Sequence, residues 1–356
     1  MSNLAVGIIG LPNVGKSTLF NALLKRSLAN VAEHPFTTIE PNTGVVEVPD
    51  ERLKKLAEIV KKEKGNKDVK IVPASVKFVD IAGLVKGAHK GEGLGNKFLA
   101  KIREVDAIVH VLRGFEDERV PRVGGQDAKE DYEIVATELC LADLEAVEKK
   151  LEDKELKKLK DGAKRIELLK RIKDDLAKGV KVTSMNLTED EMEVVKDLFL
   201  LTAKPELVVF NVGEKDSTKK LDDAAMTICG RLEVELGEFS PVERKEYLKT
   251  SGIKKEALDL LIEKAFEILK LIRFYTLKGG KEITAWSISR GTTALGAAKI
   301  IHEDFARGFI KAEGISFEEM AKIGGWQYAQ KLGKTRLEGK DYQIADGEVV
   351  EFKFKA

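Results

Sequence analysis

The stretch that decides the fold is GLPNVGKST, Gly10–Thr18. It follows the short apolar run LAVGIIG, residues 4–10, and leads into a segment whose apolar residues recur at helical spacing from Lys16 to Lys25. GLPNVGKS fits Gly-x-x-x-x-Gly-Lys-Ser, the phosphate-binding loop, which has a strand before it and a helix after it. Both neighbours are predicted here, so the context disfavours a chance match in a protein that binds no nucleotide.

The residue types of this loop suit a phosphate. Gly10 and Gly15 allow the backbone to curl so that successive N–H groups point inward, Lys16 supplies a positive charge and Ser17 a hydroxyl ligand for Mg²⁺. Asn13 is also a candidate ligand for K⁺. The predicted contacts with the phosphates are Asn13, Val14, Gly15, Lys16, Ser17 and Thr18.

Two later segments have the spacing of a metal-dependent switch. PFTTIEP, residues 35–41, offers Thr37 and Thr38, either of which would complete a magnesium shell through its hydroxyl. DIAG follows a predicted strand, so Asp80 is expected to hold Mg²⁺ through water and the N–H of Gly83 to meet the γ-phosphate. Loss of these contacts on hydrolysis would release both segments.

The catalytic group is less evident from the sequence. Many GTPases have a glutamine after this glycine to orient the attacking water, but Leu84 stands here and cannot do so. His89 lies five residues further along in a glycine-rich stretch, and an imidazole can orient or donate to water. We therefore expect His89 and Lys16 to be catalytic. The alternative is that His89 is an ordinary surface residue.

The stretch FNVGEKD, residues 210–216, departs from the Asn-Lys-x-Asp pattern by which GTPases recognise guanine. An aspartate there accepts two hydrogen bonds from guanine, and the extra methylene of Glu214 displaces the carboxylate by about a bond length. We expect the backbone of Val212 and the amide of Asn211 to pair with adenine, so that ATP binds better than GTP. The alternative is that Glu214 is a tolerated variant and GTP still binds.

Further apolar runs predict the rest of the sheet. VKFVDIA (76–82), AIVHVL (107–112) and ELVVFNV (206–212) have the β-branched composition of strands covered on both faces. Their alternation with helical segments predicts an α/β fold with a doubly wound, mostly parallel sheet. Ligands of such sheets bind at the carboxyl ends of the strands, where all three motifs lie.

A helical insertion interrupts this pattern. From about Asp131 to Lys181 apolar residues recur every three or four positions with almost no proline or glycine, which predicts two long helices in a hairpin. Within Lys149–Lys181 there are thirteen Lys and Arg against seven Asp and Glu. This basic excess is either an ordinary solvated face or a surface that contacts RNA or the ribosome.

The last eighty residues predict a compact α+β module of ubiquitin-like size. We expect a helix ending near Arg273, a hairpin around Gly279–Gly280 and a helix from about Thr293 to Phe305. An Asp-Gly turn at residues 346–347 has alternating strand residues on both sides.

Composition excludes some classes of protein. The 356 residues include 61 Lys and Arg and 60 Asp and Glu, so any attraction to nucleic acid must come from a local patch. Cys140 and Cys229 lie far apart, without metal-ligand spacing, and are expected to be buried thiols. There is no run of eighteen apolar residues and no basic leader, so we expect a cytoplasmic protein without a membrane partner.

The motifs together resemble the YchF/Obg-like ATPase family, translation-factor-class P-loop NTPases with a helical insertion and a C-terminal TGS domain. The resemblance rests on GLPNVGKST, PFTTIEPN, DIAGLVKGAHKGEGLGNKFL, HVLRGFED, NVGEKD and AWSISRGTTALGAAKIIHEDFARGFIKAE, and it covers essentially the whole chain. It implies ATP hydrolysis with Mg²⁺ and association with the ribosome, both the large subunit and the 70S particle.

Carried over by position, the resemblance assigns nucleotide contacts to Asn13–Thr18 and Val212. It assigns magnesium ligands to Ser17 and Thr38, and the catalytic-loop histidine to His89. One departure is Gln126–Ala128, where the family usually has Asn or Asp followed by Pro; it affects the start of the helical insertion and not the active site.

The predicted domains are a nucleotide-binding domain at 1–128 and 200–275, a helical insertion at 129–199 and a TGS domain at 276–356. The insertion and the TGS domain are the candidate contacts with ribosomal RNA. Two other functions remain open from the sequence. A small-molecule P-loop kinase would need a lid with clustered arginines, and a nucleotide-gated binding scaffold would not need hydrolysis.

Overall fold

The computed structural model describes residues 4–30, 42–65, 68–83, 94–158, 161–217, 225–253 and 255–355. The chain forms two compact units. The first consists of Ala5–Gly44 and Phe78–Leu261, and the second of Met1–Leu4, Val45–Lys77 and Ile262–Ala356.

The described residues form strands and helices throughout both units. The strands are β1 (Ala5–Ile9), β2 (Thr43–Glu47), β3 (Lys70–Val72), β4 (Ser75–Asp80), β5 (Ala107–Gly114), β6 (Glu206–Val212), β7 (Met226–Ile228), β8 (Leu271–Lys278), β9 (Glu282–Ser289), β10 (Phe309–Ser316), β11 (Arg336–Glu338) and β12 (Glu348–Phe354). The helices are α1 (Lys16–Asn30), α2 (Glu51–Lys64), α3 (Leu94–Glu104), α4 (Ala128–Leu151), α5 (Gly162–Ala177), α6 (Glu189–Val195), α7 (Gly230–Leu236), α8 (Pro241–Thr250), α9 (Ala257–Ile268), α10 (Ala294–Ile301), α11 (Glu303–Arg307), α12 (Phe317–Ile323) and α13 (Trp326–Lys331).

The first sheet has the strand order β2–β4–β1–β5–β6–β7. The pairs β1–β5, β5–β6 and β6–β7 are parallel, and every residue of β1 is buried. The prediction of a mostly parallel, doubly wound sheet is confirmed. Because β1 has β4 on one side and β5 on the other, the chain leaves β1 where the strand order reverses, which is the usual position of a ligand crevice.

The helical hairpin is also confirmed, with α4 and α5 as its two arms. The arms enclose a core in which Val147, Leu169 and Ile172 are fully buried. The short helix α6 packs beside them and begins with a capping box in which the side chain of Thr188 accepts from the N–H of Glu191.

The second sheet has the order β11–β10–β12–β8–β9–β3. The predicted hairpin at Gly279–Gly280 is confirmed, because β8 and β9 pair in antiparallel register. The prediction that a helix ends near Arg273 is wrong. Helix α9 ends at Ile268, and Arg273 lies in β8 opposite Ser287, because the apolar residues on both sides of it are buried in a strand that pairs with β9.

Two other boundaries in the C-terminal part differ from the prediction. The helix expected from Thr293 to Phe305 divides at His302, whose backbone is extended and whose Nδ1 accepts from the N–H of Asp304 to begin α11. The Asp346–Gly347 turn does not join two paired strands, because β12 begins at Glu348 and pairs with β10 and β8 instead.

The segment Val45–Lys77 joins the C-terminal residues. Strand β3 pairs with β9 in parallel, and α2 places Leu56 and Val60 in one core with Tyr275 and Met320. The predicted nucleotide-binding domain includes this segment, whereas the compact units group it with the C-terminal sheet because its apolar face packs there. The predicted domain boundaries remain a prediction.

Both cysteines are free and buried, as expected. In the part of the chain that the structure describes, no helix is both long and apolar enough to cross a membrane.

A hydrogen bond between Tyr275 and Asp50 fixes α2 to the second sheet, and its contribution to stability can be measured. The buried Tyr275 hydroxyl donates to Oδ2 of Asp50, the N-cap of α2, over 2.6 Å. Tyr275→Phe should lower the free energy of unfolding by about 1–3 kcal/mol, because a buried charge-assisted hydrogen bond is lost. Urea unfolding measures the change, with the exposed Tyr328→Phe on α13 as the control. Equal stability of Tyr275→Phe and the native protein would contradict this role.

Candidate nucleotide-binding site

The loop between β1 and α1 is closed by contacts that only glycine allows. Gly10 and Gly15 have φ angles of 147° and 96°. A Cβ atom at Gly10 would lie 2.4 Å from the carbonyl oxygen of Val111, and one at Gly15 would lie 2.0 Å from Nδ2 of Asn211. The two glycines are therefore required both by backbone conformation and by the close approach of β5 and β6.

Lys16, the first residue of α1, turns its side chain into the loop. Its Nζ donates to the carbonyl oxygen of Leu11 over 2.7 Å, and the residue is 7% exposed. Burial lowers the pKa of Lys16 to about 8, although the nearby Asp80 acts in the opposite direction. A bound phosphate would place a negative charge beside this buried ammonium group and so stabilise its charged form.

Ser17 and Asp80 lie together at the ends of α1 and β4. The Ser17 hydroxyl donates to Oδ2 of Asp80 over 3.0 Å. Burial raises the pKa of Asp80, while the Ser17 hydrogen bond and the charge of Lys16 lower it. The other carboxylate oxygen, Oδ1, is buried without a hydrogen-bond partner among the described residues. A hydroxyl and a carboxylate with a vacant lone pair are the oxygen ligands that Mg²⁺ prefers, so this pair fits the metal.

Gly83 approaches the same loop from the end of β4. A Cβ atom there would lie 3.1 Å from Nζ of Lys16 and 3.1 Å from the backbone nitrogen of Pro12. Its peptide is thus beside the lysine that would hold the phosphates. The other predicted residues of the two switch segments, Thr38 and His89, lie outside the described residues, as does Leu84.

Asn211, near the end of β6, connects the phosphate loop to the helix that follows β7. Its Nδ2 donates to the carbonyl oxygen of Val14 over 2.9 Å, and its Oδ1 accepts from the N–H of Gly230 over 3.0 Å. Each amide atom keeps one further hydrogen-bonding position. The geometry makes Asn211 a brace between the two halves of the site, a role that the sequence did not indicate.

These elements surround a cleft of about 810 Å³. It brings together the predicted residues Asn13, Gly15–Thr18, Asn211, Val212 and Glu214. It also contains residues that were not predicted from the sequence to belong to the site: Phe115, Glu116, Asp117, Val120, Cys229, Arg231, Leu232 and Glu235. The cleft extends from the phosphate loop to the N-terminus of α7.

The wall at residues 115–121 is held by Arg113, which is buried. Its guanidinium donates to the carbonyl oxygens of Phe115 and Val120 over 3.2 and 2.8 Å and lies 4.5 Å from the centre of the Phe115 ring. Nδ2 of Asn13 donates to the carbonyl oxygen of Pro121 over 3.2 Å. The signal in the sequence was the motif HVLRGFED, but a buried arginine that binds carbonyl groups of its own loop could not be recognised from it.

Glu214 begins a short 3₁₀ turn directly after β6 and Gly213, at the base end of the cleft. Its side chain is exposed, and its Oε1 accepts from the hydroxyl of Tyr247 in α8 over 3.2 Å. Tyr247 is 33 residues further along the chain. Nothing in the sequence pattern links the two.

A larger groove, of about 1320 Å³, lies between α5 and α6 and is lined mainly by charged residues. Its two arginines, Arg165 and Arg171, form ion pairs with Asp197 and Glu191. Glu191 of α6 and Asp197, two residues beyond that helix, thus neutralise part of the basic excess that was counted on the hairpin, and this groove lacks the unpaired arginines expected of a phosphate site.

A buried lysine at a helix N-terminus, next to a serine and an aspartate at the carboxyl edge of a parallel sheet, places the chain among the P-loop NTPases. The family model of 50S ribosome-binding GTPases matches residues 5–140, and the YchF-GTPase C-terminal model, described as a protein of unknown function, matches residues 271–355.

Relatives that match the chain over its whole length show which family of P-loop NTPases it belongs to. The chain is 42% identical over 370 residues to the ribosome-binding ATPase YchF of Bacillus subtilis, covering 99% of both proteins. It is 43% identical to the protein of that name from Haemophilus influenzae, covering 98% of both. It also resembles the structure of the Schizosaccharomyces pombe YchF GTPase, with 32% identity, a TM-score of 0.86 and coverage of 99% and 98%. The chain belongs to the YchF family. Because its relatives are named both ATPase and GTPase, their names do not show whether this chain prefers adenine or guanine nucleotides.

The pKa of Lys16 has a measurable consequence for binding. Phosphate charge should raise this pKa in the complex, so a proton is taken up when ATP binds above pH 8, and affinity should fall up to about tenfold per pH unit there. Calorimetric titrations at pH 7 and pH 9 in buffers of different ionisation enthalpy measure the uptake. Lys16→Arg, which stays charged at both values, is the control. Absence of proton uptake at pH 9 would disprove the lowered pKa of Lys16.

Proposed function

We propose that this protein is a Mg²⁺-dependent ATPase that binds the ribosome and acts as a nucleotide switch, hydrolysing ATP in preference to GTP. The observation that carries the proposal is that one cleft contains Lys16, Ser17 and the Val212–Glu214 segment, and that the Ser17 hydroxyl donates to Asp80. Membership of the YchF family supports the ATPase activity, since the bacterial relatives bear that name.

The phosphates are proposed to bind at the N-terminus of α1. The N–H groups of Asn13–Thr18 and the positive end of the helix dipole favour an anion there. Lys16 would exchange its hydrogen bond to Leu11 for one to a phosphate oxygen, which compensates the burial of its charge. Gly83 lies beside Lys16, and its N–H is proposed to donate to the same group.

The metal is proposed to be held by the Ser17 hydroxyl and, through water, by Asp80, with Thr38 as the third protein ligand. When bound, Mg²⁺ would neutralise charge on the β- and γ-phosphates. The hydrogen bond between Ser17 and Asp80 keeps the two ligands together before nucleotide arrives. A role for Asn13 in binding K⁺ is also proposed, from its place in the cleft.

Base preference is proposed to follow from Glu214. A guanine site needs a carboxylate at a fixed distance from N1–H and the 2-amino group, and a site built for paired hydrogen bonds discriminates by up to about 10⁴-fold when they are missing. The longer side chain removes that geometry, so adenine would be recognised by the backbone of Val212 and by the remaining hydrogen-bonding positions of the Asn211 amide. The ring of Phe115 would cover the base from the other side of the cleft.

In the hydrolysis step, a water oxygen bonds to the γ-phosphorus, the bond from that phosphorus to the β–γ bridging oxygen breaks with its electron pair leaving on ADP, and the water proton passes to an oxygen of the released phosphate. Leu84 cannot orient that water, so His89 is the proposed orienting group. Turnover without a partner should be slow, because neither a glutamine at position 84 nor an evident arginine finger is available.

The partner is proposed to be the ribosome, as the large subunit and the 70S particle, because the relatives are named for binding it. ATP would order the segments that contain Thr38 and Gly83, and hydrolysis would release them. The helical hairpin and the C-terminal domain are the proposed contacts with ribosomal RNA. The ion pairs Lys173–Glu148 and Arg171–Glu191 reduce the basic surface that the hairpin offers, so the RNA contact should be local.

Parallel calorimetric titration of the nucleotide-free protein with ATP and GTP tests the base. We expect ATP to bind at least tenfold more tightly, and Glu214→Asp combined with Val212→Lys to shift the preference toward GTP. Tighter binding of GDP than ADP would refute the ATPase assignment. Phosphate release with and without ribosomes separates an enzyme from a scaffold whose hydrolysis is incidental.

Changing the proposed orienting group should separate binding from chemistry. His89→Ala is expected to lower turnover by about 10- to 100-fold and to leave ATP affinity nearly unchanged, because the imidazole acts on water and not on the nucleotide. Steady-state phosphate release and calorimetry measure the two quantities. His302→Ala, in the C-terminal domain, is the control. An unchanged rate would remove His89 from the mechanism.

A further inference from the structure

We propose that Tyr247 is a specificity-determining residue, which excludes guanine by holding the Glu214 carboxylate on the α8 side of the cleft. The inference rests on the proposed function and explains how its base preference is enforced. Tyr247 does not line the cleft itself. It is therefore a positioning residue that acts through Glu214.

The ring of Tyr247 is fixed by an apolar cluster behind the base end of the cleft. It packs against a core that contains Val212, Cys229 and Leu232, and its ring meets that of Phe239 edge to face with 6.0 Å between centroids. Val212 and Cys229 also line the cleft. The cluster thus joins the strand end that would recognise the base to the helix that carries Tyr247.

The hydroxyl of Tyr247 then fixes Glu214. Its donation to Oε1 over 3.2 Å is a hydrogen bond to a carboxylate, and in the described part of the chain no lysine or arginine pairs with that group. Burial and the neighbouring glutamate raise the pKa of Tyr247, so the phenol keeps its proton and remains a donor.

A glutamate alone is an incomplete barrier against guanine. It has three side-chain torsions, and on an exposed turn it can rotate among staggered conformers, some of which would bring its carboxylate toward the base. There it would accept from guanine N1–H and oppose the lone pair of adenine N1. The Tyr247 hydroxyl, a donor on the α8 side, favours the Glu214 conformer that points away from the base. Contact of the carboxylate with guanine or with adenine then becomes less frequent. Side-chain length and the Tyr247 contact would therefore work together.

The decisive variant is Tyr247→Phe, which keeps the ring and its packing but loses the donor. We expect the ratio of GDP to ADP dissociation constants to fall by about fivefold to tenfold, with most of the change in GDP. The same substitution in a Glu214→Ala background should leave that ratio within twofold, because no carboxylate remains to be restrained. Calorimetry with ADP and GDP measures all four proteins.

The control variant is Phe239→Leu, which disturbs the same cluster without removing a donor; it should alter both affinities alike and leave the ratio unchanged. If Tyr247→Phe leaves the ratio unchanged while the native protein still prefers ADP, the role of Tyr247 is disproved and the proposed function stands. An equal change in both backgrounds would also disprove it, since it would show an effect of packing alone. A native preference for GDP would instead refute the proposed function.

Discussion

The amide of Asn211 is the contact on which the arrangement of the site depends. It donates to Val14 in the phosphate loop and accepts from Gly230 at the start of α7, so one side chain sets the distance between the phosphate end and the base end. Gly15 must lack a side chain because this amide fills its space. If Asn211 lost its contact with Val14 or with Gly230, a buried backbone group would be left without a hydrogen bond, which costs free energy. The two contacts therefore hold both ends of the cleft in one relative position.

In the proposed function, selection of the base involves more of the chain than the motif that suggested it. Glu214 is the visible departure from a guanine pattern, but its side chain is exposed and is restrained by α8 through Tyr247. The opposite wall is restrained by Arg113, whose guanidinium binds carbonyl groups of the 115–120 loop. Flexible polar residues at the cleft therefore depend on buried residues behind them, as is usual where binding groups lie on loops.

Parts of the fold were predictable because their signals are local. The spacing of apolar residues gave β1, β5, β6 and the hairpin of α4 and α5, and the glycine loop gave the start of α1. The error at Arg273 has a tertiary cause, since that residue is in a strand through its pairing with β9. The association of Val45–Lys77 with the C-terminal sheet was not predictable either, because β3 and β9 are separated by about two hundred residues and no local pattern records such a pairing.

The sequence by itself determined the phosphate chemistry and the family, because Gly10, Gly15, Lys16 and Ser17 are required at fixed spacing by a backbone that must wrap a phosphate. It also indicated an unusual base preference, since the difference between aspartate and glutamate is covalent. Only the tertiary structure decided which residues contact the side chains concerned. The partners of Asn211 and Glu214, namely Gly230 and Tyr247, come from distant helices, and a hydrogen bond between residues far apart in the chain depends on packing that no short stretch encodes.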